Sequence, residues 1–439
     1  MLLLENKVRD SIHGFIYFSE QERQLIDSPE YQRLRYLKQL ALTSYVYPGA
    51  VHTRFEHSLG VMEMATRMFN KLENRLSIKE EIIQNFKKIG LEINQAKQIL
   101  RLAALLHDIG HLPFSHGGEA VLPKGKRHED ISIFIIDSLR SKIDSVFFNG
   151  VTDLVIQLIK KDVVLPELYL LKYLVSGSID ADRMDYLLRD SHHCGVDYGY
   201  FDHKRLIESL TVVERNGGGL DLAIEYGGIH ALEALILARY YMFTQVYYHR
   251  TRRIYDIYLQ NYLKSWVNKF KDFSNITKDN LDDLVLIQDM RKAAINEKHK
   301  YHQYAYRICN RKHHSMVFQT SDFTNADVRI KAEGIFENLS NKYLKYDFII
   351  DNPSKGTKIH EFFVEDRDDG DEVGQKLYVM RNKRSFLLTK ESHIIREMPK
   401  RFHAVRIYVD SKDLINKIDK EALCGMRHEA IKLEEKVKE

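Results

Sequence analysis

The sequence predicts a mostly α-helical protein, a helical bundle that carries a small β-hairpin and a C-terminal α+β subdomain. The chain has seven prolines, but none lies between Pro166 and Pro353, and apolar residues recur there at three- and four-residue spacing. That pattern is typical of helices. A glycine-rich turn within residues 211–228 predicts the hairpin. Beyond about residue 310, short apolar or alternating segments separated by polar loops indicate strands.

The individual elements follow from the same periodicities. Helices are predicted over 58–73, 95–107, 130–143, 151–161, 168–190 and 229–265. Strands are predicted over 346–350, 361–365, 376–380, 385–389 and 405–409. We therefore divide the chain into a helical core (1–310), an α+β subdomain (311–410) and a charged helix or tail (411–439), whose charges we expect to face solvent.

Composition excludes several classes of protein. With 439 residues, 44% of them hydrophobic, and a net charge of only +4, the chain has enough apolar surface for a large core and is neither disordered nor fibrous. Three scattered cysteines predict no disulfide framework and indicate a reducing compartment. The first residues are too short a run for a signal peptide, and no stretch has about 18 apolar residues, so we expect a cytoplasmic protein that does not contact membranes.

Histidines and aspartates cluster in three segments. They are HTRFEHS (52–58), LLHDIGHLPFSH (105–116) and SGSIDADRMDYLLRD (176–190). In the second segment, an apolar helix leads directly into His107 and Asp108, before Gly110 and Pro113 end it. A buried carboxylate needs a partner, and a cation is the natural one. One His, an adjacent His-Asp pair and a distant Asp would suit Fe, Zn, Mn, Ni or Mg.

These segments resemble the signature of the HD-domain phosphohydrolases, H…HD…D, and most of all the deoxynucleoside triphosphate triphosphohydrolase branch, which includes the sterile-alpha-motif HD enzyme and bacterial dGTPases. The resemblance covers roughly residues 6–410. The matching stretches are VRDSIHGFI (8–16), YQRLRYLKQL (31–40), YPGAVHTRFEHSLG (47–60), LLHDIGHLPFSH (105–116) and IDADRMDYLLRDSHHCG (179–195).

The resemblance implies a metal-dependent hydrolase that converts deoxynucleoside triphosphates (dNTPs) into deoxynucleoside and inorganic triphosphate. The implied ligands of the divalent metal are His57, His107, Asp108 and Asp182. The implied acid–base groups are His111, His116 and His128. We expect His116 to be the general acid, with Glu119 orienting it, and His128 to be the alternative. His52 is expected to support the site or the core rather than bind the metal.

The same resemblance implies a nucleotide pocket. Gln39 and Leu40 match positions beside the deoxyribose, where a bulky Leu would exclude a 2′-hydroxyl. Arg54 and Arg183 can reach phosphates, and an arginine fork suits that task. Asp180 and Asp185 are expected to be helix caps or ion-pair partners. The remaining matches are Tyr186, Asp190, Arg239, Tyr247, His249 and Arg250.

Other interpretations stay open. Another HD-type activity, a nucleotide monophosphatase or cyclic-nucleotide phosphodiesterase, shares the ligands and differs in the pocket. Arginines interleaved with aromatic residues at 239–255 also fit weak single-stranded nucleic-acid binding by an oligomeric protein with a vestigial HD site. The resemblance further implies a homo-oligomer (dimer, tetramer or hexamer), and an allosteric nucleotide stays open, because the 7–14 segment matches such a region only loosely.

Overall fold

A computed structural model describes residues 4–119, 121–161, 165–278, 280–352, 357–359, 362, 376–412, 414 and 418–436. Within these residues the protein is mostly helical, which confirms the predicted fold class. None of the described helices is both long enough and apolar enough to cross a membrane.

The helices of the body precede residue 310. They are α1 (Glu20–Ile26), α2 (Pro29–Gln32), α3 (Arg54–Glu73), α4 (Lys79–Lys87), α5 (Ile93–Leu106), α6 (His116–Glu119), α7 (His128–Ser138), α8 (Arg140–Val146), α9 (Val151–Ile159), α10 (Tyr169–Val175), α11 (Ala181–Cys194), α12 (His203–Glu208), α13 (Ile229–Met242), α14 (Arg250–Leu263), α15 (Ser274–Lys278), α16 (Asp283–Ile295) and α17 (His302–Cys309). Four more helices follow: α18 (Ala326–Lys342), α19 (Leu388–Glu391), α20 (His393–Glu397) and α21 (Lys420–Lys436).

Three predicted helices are each two helices in the structure. The 130–143 helix is divided at Leu139 into α7 and α8, and the 168–190 helix is divided between α10 and α11. The 229–265 helix becomes α13, a π-helical turn (Phe243–Tyr247) and α14. The apolar spacing continues across each break, so periodicity alone could not detect the turns. Two of the three breaks, before α11 and before α14, border the candidate site described below.

The strands form small sheets. They are β1 (Asn6–Asp10), β2 (Gly14–Phe18), β3 (Leu210–Glu214), β4 (Leu220–Glu225), β5 (Ser315–Gln319), β6 (Tyr346–Asp351), β7 (Thr357–Lys358), β8 (Tyr378–Arg381), β9 (Arg384–Leu387), β10 (Arg401–Phe402) and β11 (Arg406–Ser411). The predicted hairpin is β3–β4, which pairs in an antiparallel register and continues into β8 and β9. β11 lies between β5 and β6, and β10 pairs with β7. The predicted strand 361–365 lies outside the described residues except for Phe362.

Two hydrophobic clusters hold these elements together. The larger fills the helical body and also contains Val379, Leu388 and Phe402 from the C-terminal part. Since β8 pairs in parallel with β4, packing crosses the predicted boundary at residue 310, and the three-part division stays a prediction. The smaller cluster joins the β5–β11–β6 sheet to α18 and α21. Met426 and Ala430 of α21 are fully buried in it, so this charged helix has an apolar face that the sequence interpretation missed.

Candidate metal centre and nucleotide cavity

The first histidine of the site lies in the first turn of α3. Thr53 caps this helix in a reciprocal arrangement in which the Glu56 carboxylate accepts the Thr53 amide at 2.8 Å. This cap starts the helix at Arg54 and places Arg54 and His57 one turn apart. His57 is almost fully buried, so the side chains packed around it fix its position.

The His107–Asp108 pair lies where α5 ends. His107 is the C-cap residue, and its Nδ1 is 2.8 Å from the carbonyl oxygen of Ala104. The turn that follows contains Gly110 and packs closely on the start of α7. A Cβ atom at Gly110 would lie only 2.2 Å from the amide nitrogen of Ser132 in that helix. Glycine is therefore required at this position, and the close approach brings α7 and His128 beside His107 and Asp108.

Asp182 lies in the first turn of α11, on the opposite side of the site. Asp180 caps this helix by accepting the Arg183 amide at 2.7 Å, and it also accepts the Gly177 amide at 2.7 Å. The predicted capping role of Asp180 is thus confirmed. The cap explains the break before α11 and sets Asp182 toward His57.

The four predicted ligands come together. The Nε2 atom of His57 lies 3.1 Å from Asp182 Oδ1 and 3.6 Å from Asp108 Oδ2, and the Nε2 atom of His107 lies 3.3 Å from Asp108 Oδ1 and 3.8 Å from Asp182 Oδ1. Ligands about 2.0–2.2 Å from one ion lie roughly 2.8–3.6 Å from each other.

A metal ion fits these residues. The Nε2 atoms of His57 and His107 are buried and have no aligned hydrogen-bond partner among the described residues. Buried nitrogen atoms that lack a well-aligned hydrogen bond are costly, and a cation between them and the carboxylates would satisfy both at once. The two-nitrogen, two-oxygen donor set suits several divalent metals and does not select one of them.

Asp185 supports His57 from behind. Its Oδ2 atom lies 2.8 Å from His57 Nδ1 and accepts Arg189 Nε at 2.9 Å, while its Oδ1 atom lies 2.6 Å from His13 Nε2. Arg189 also bonds Asp10 at 2.8 Å. If His57 donates from Nδ1 to this carboxylate, the lone pair of its Nε2 atom would be available to a metal ion, and residues behind metal ligands commonly orient them in this way. The sequence interpretation foresaw an ion pair for Asp185 but not this contact with His57.

The charges around the ligands keep both aspartates ionised. Burial alone would raise the pKa of Asp108, but Arg54 and the histidines hold it well below its usual value. The pKa of Asp182 is also lowered, because His57 and His107 outweigh the effect of burial. Burial lowers the pKa of His57, yet the carboxylates of Asp182 and Asp185 raise it to about 10. A proton and a metal ion therefore compete for His57 Nε2.

A histidine pair lies next to the ligands. The rings of His111 and His128 stack with centroids 3.8 Å apart, and His111 Nε2 is 3.2 Å from Asp108 Oδ1. His128 Nδ1 is 2.6 Å from Glu119 Oε1. Burial lowers the pKa of His128, but Glu119 more than offsets this and raises it, whereas burial and Arg54 lower the pKa of His111. His128 thus keeps its proton to higher pH than an ordinary histidine, whereas His111 loses its proton more readily than one.

Glu119 was expected to orient His116, but the described contact is with His128. His116 begins α6, and its side chain lies outside the described part of the structure. The choice of His116 as general acid therefore stays a prediction, while the geometry of the described groups favours the alternative, His128.

The ligands open onto a cavity of about 530 Å³. Eight of the ten predicted substrate-binding residues line it: Gln39, Leu40, Arg54, Arg183, Tyr186, Asp190, Arg239 and Tyr247. His249 and Arg250 do not, because His249 caps α14 by accepting the Thr251 amide and Arg250 is exposed. Arg252 and Arg253, which the sequence interpretation did not select, line the cavity instead.

Asp190 is held between two groups in the cavity wall. The Tyr247 hydroxyl donates to Asp190 Oδ2 at 2.6 Å, and His52 Nε2 lies 2.7 Å from Asp190 Oδ1. Tyr186 packs edge-on against Tyr247, with ring centroids 6.3 Å apart. The π-helical turn that ends in Tyr247 aims this residue into the cavity, a distortion that often marks functional sites. His52 contacts the Asp190 carboxylate, as expected for a residue that supports the site.

Arg54 links the ligands to the loop after His111. Its guanidinium bonds Asp108, and its Nε donates to the Ser115 hydroxyl at 2.9 Å. Ser115 in turn donates to the Lys38 carbonyl oxygen at 2.7 Å. Sequence spacing gave no indication of Ser115, because its partners are far away in the chain.

Comparisons with known proteins agree with this geometry. The HD domain family model matches residues 54–189, and the HD associated region model matches residues 201–338. An uncharacterized protein of Methanocaldococcus jannaschii is 39% identical over 65% of this chain and 54% of its own length, and the uncharacterized protein YwfO of Bacillus subtilis is 35% identical over 60% and 56%. The chain thus spans about half the length of these two relatives.

Two further matches cover nearly the whole chain. The deoxynucleoside triphosphate triphosphohydrolase SAMHD1 homolog of Dictyostelium discoideum is 29% identical over 92% of this chain and 77% of its own length. The crystal structure of a hypothetical protein from Aquifex aeolicus superposes with a TM-score of 0.74 at 29% identity, covering 97% of this chain and 99% of that one. With its HD motif, its HD associated region and its cluster of potential metal ligands, the chain carries an HD domain and is similar to the deoxynucleoside triphosphate triphosphohydrolases.

Proposed function

We propose that this protein hydrolyses dNTPs to deoxynucleoside and inorganic triphosphate. The observation that carries the proposal is the cluster of His57, His107 and Asp108, with Asp182 3.1 Å from His57, at the wall of a cavity that also presents arginines and tyrosines. At about 530 Å³, the cavity falls in the range of sites for small organic ligands. The arginines suit a polyanionic tail, and the tyrosines suit a sugar or base.

A divalent ion held by His57, His107, Asp108 and Asp182 would polarise a phosphoryl oxygen and lower the pKa of a water molecule. Arg54 is positioned by Asp108 and Ser115 to stabilise charge that develops on a phosphate. His128, protonated with the help of Glu119, would supply the proton to the departing sugar oxygen. Histidine 111, buried and neutral, would stack against His128 and limit its motion.

Selectivity for a deoxyribose would come from the cavity wall. Leu40 is almost fully buried beside Gln39, and Tyr186 and Tyr247 form the neighbouring wall. A hydroxyl group in a closely packed apolar environment loses hydrogen bonds to water without gaining others. A ribonucleotide should therefore bind and react less well.

The test is incubation of the purified protein with each dNTP and each ribonucleotide in Mn²⁺ or Mg²⁺, with separation of the products by chromatography. Deoxynucleoside plus inorganic triphosphate supports the proposal, and the double variant His107→Ala, Asp108→Ala should lose this activity. Release of monophosphate and pyrophosphate, turnover of monophosphates or cyclic nucleotides only, or the absence of turnover would refute it. Nucleic-acid binding that persists without any turnover would favour the vestigial-site alternative.

Two companion measurements address the metal and the assembly. Elemental analysis of protein purified without chelators identifies the bound ion. Light scattering with and without nucleotide tests the proposed homo-oligomer and any nucleotide-dependent change in its size.

A further inference from the structure

A buried carboxylate at the start of α16 joins two segments of the site. Asp283 Oδ1 accepts the amide of Phe114 at 2.7 Å, and Asp283 Oδ2 accepts the amide of Lys38 at 3.0 Å. Phe114 belongs to the loop after His111, and Lys38 precedes Gln39 in the cavity wall. Asp283 is 2% exposed, so water does not replace either contact. One side chain therefore holds two chain segments that share no secondary structure.

Arg33 fixes the same region from the other direction. Its guanidinium donates to the carbonyl oxygens of Ile109 and His111, at 2.7 and 2.9 Å, and to that of Leu281 at 2.8 Å. Burial lowers its pKa to about 10, so it keeps its charge at neutral pH. The turn that carries the HD pair is thus bonded to the chain segment that leads into Asp283.

The loop between these anchors has an unfavourable backbone conformation. Phe114 and Ser115 have φ angles of 57° and 56°, in the left-handed region that residues other than glycine rarely adopt. Such conformations persist only when surrounding contacts require them. Three hydrogen bonds meet this requirement. The Phe114 backbone amide donates to Asp283, the Ser115 hydroxyl donates to the Lys38 carbonyl oxygen, and the same hydroxyl accepts from Arg54 Nε.

From these contacts we infer that Asp283 and Arg33 are positioning residues for the active site, although neither touches the cavity. They hold the loop in its strained form, and the loop holds Arg54 through Ser115. Since Arg54 also bonds Asp108, a relaxed loop would misplace both a phosphate-binding group and the partner of a metal ligand. Asp283 lies in the HD associated region, so this region would help to position the candidate site of the HD domain that precedes it in sequence. The kinetic part of this inference rests on the proposed function, but the structural part does not.

The first test is Asp283→Asn, which preserves size but offers one acceptor oxygen where two amides need one each. We expect hydrogen–deuterium exchange of peptides from the 109–119 loop to rise, while exchange in α11 stays as in the wild type. We expect kcat for the dNTP to fall about 100-fold with KM changed less than about threefold, because a small misplacement affects the reacting geometry more than binding. Arg33→Lys, which loses the guanidinium fork, should give the same pattern.

The matched control is Asp282→Ala. Asp282 caps α16 by accepting the Val285 amide at 3.0 Å and does not contact the loop. This variant should lower the thermal midpoint and loosen α16 while leaving loop exchange and kcat within about twofold of the wild type.

The inference is overturned if Asp283→Asn leaves loop exchange unchanged, if loop exchange rises with kcat intact, or if Asp282→Ala has the same kinetic effect. A wild-type protein that turns over no nucleotide would sink the proposed function, and loop exchange in the two variants would still decide whether Asp283 and Arg33 hold the loop.

Discussion

Replacing Asp185 by Asn tests how the metal centre is built. The Asp185 carboxylate receives four side-chain contacts: from His57 and Arg189 on Oδ2, and from His13 and Arg189 on Oδ1. An amide has one acceptor oxygen, so in either orientation its NH₂ group faces two of these donors. The variant therefore disrupts the support of His57 without removing any of the four candidate ligands.

The magnitude follows from the contacts. Breaking a buried ion pair costs about 3–5 kcal/mol, and the lower end applies because Arg189 keeps Asp10 as a partner at 2.8 Å. That loss corresponds to a decrease of roughly 3–6 °C in the thermal midpoint of the metal-free protein. Loss of an outer-shell carboxylate weakens metal binding about 10- to 100-fold.

The assay measures both effects separately. Mn²⁺ affinity is obtained by competition with a chelator, and the thermal midpoint is measured in excess chelator. Burial favours protonation of Asp185, but Arg189 and the histidines hold its pKa well below the usual value. Its stabilising effect is then present above the ordinary carboxyl pKa and is lost only as pH falls below it. Asp185 also helps to raise the pKa of His57 from 6.5 to about 10, and the stability from that pairing is lost as pH rises between these two values. The difference in midpoint between wild type and variant should therefore be largest near pH 5–6 and become smaller toward pH 8.

Asp10→Asn is the matched control. It removes one carboxylate from Arg189 at 2.8 Å but does not contact His57. We expect a similar decrease in the midpoint with metal affinity within about threefold of the wild type. If Asp185→Asn binds Mn²⁺ as tightly as the wild type, or if Asp10→Asn weakens binding equally, the assignment of Asp185 to His57 is wrong.

Three further substitutions test the proposed chemistry by steady-state kinetics. Glu119→Gln removes the charge that raises the pKa of His128. Because a general acid must be protonated, the alkaline limb of the pH–kcat profile should move to lower pH. An unchanged limb would exclude this pairing of Glu119 with the general acid. Arg54→Lys loses the fork that joins Asp108 and Ser115, so kcat should fall more than about tenfold, and full activity would argue against a role at the phosphate. Leu40→Ala should reduce the preference for dGTP over GTP by about tenfold or more, and a retained preference would assign selectivity elsewhere.

The sequence was sufficient for the fold class, because that depends on local patterns, and the family resemblance pointed to the candidate ligands. His107 and Asp108 are adjacent in the chain, and apolar periodicity identifies the helix that ends at them. The break before α11 was missed because the apolar spacing continues across it. The break arises because Asp180 caps the start of a new helix. The burial of Met426 was also missed, because the charges of α21 do not reveal what its apolar face meets.

The supporting residues were beyond sequence reasoning for a different reason. Asp283 is 169 positions from Phe114 and 245 from Lys38, and its importance lies in two backbone amides that no side-chain pattern marks. Arg33 likewise bonds carbonyl oxygens, which every residue has. His249 and Arg250 illustrate a different limit: the family resemblance suggested them for the pocket wall, but they follow the π-helical turn and do not line the described cavity.

Charge in the cavity connects the metal to substrate binding. Among the described lining residues, five arginines (Arg54, Arg183, Arg239, Arg252, Arg253) face five carboxylates (Asp108, Glu129, Asp182, Asp190, Asp256), so the protein wall is close to neutral when its histidines are neutral. A triphosphate brings several negative charges into this partly enclosed space. A neutral wall attracts them only weakly, so it offsets little of the free-energy cost of removing them from water. A divalent ion at the four candidate ligands would offset the negative charges of Asp108 and Asp182. The arginines would then give the cavity wall a net positive charge, which favours binding of a polyanion. In the proposed reaction the ion would therefore help to bind the triphosphate as well as to activate it. Removal of the metal should weaken binding of a dNTP far more than binding of the corresponding deoxynucleoside.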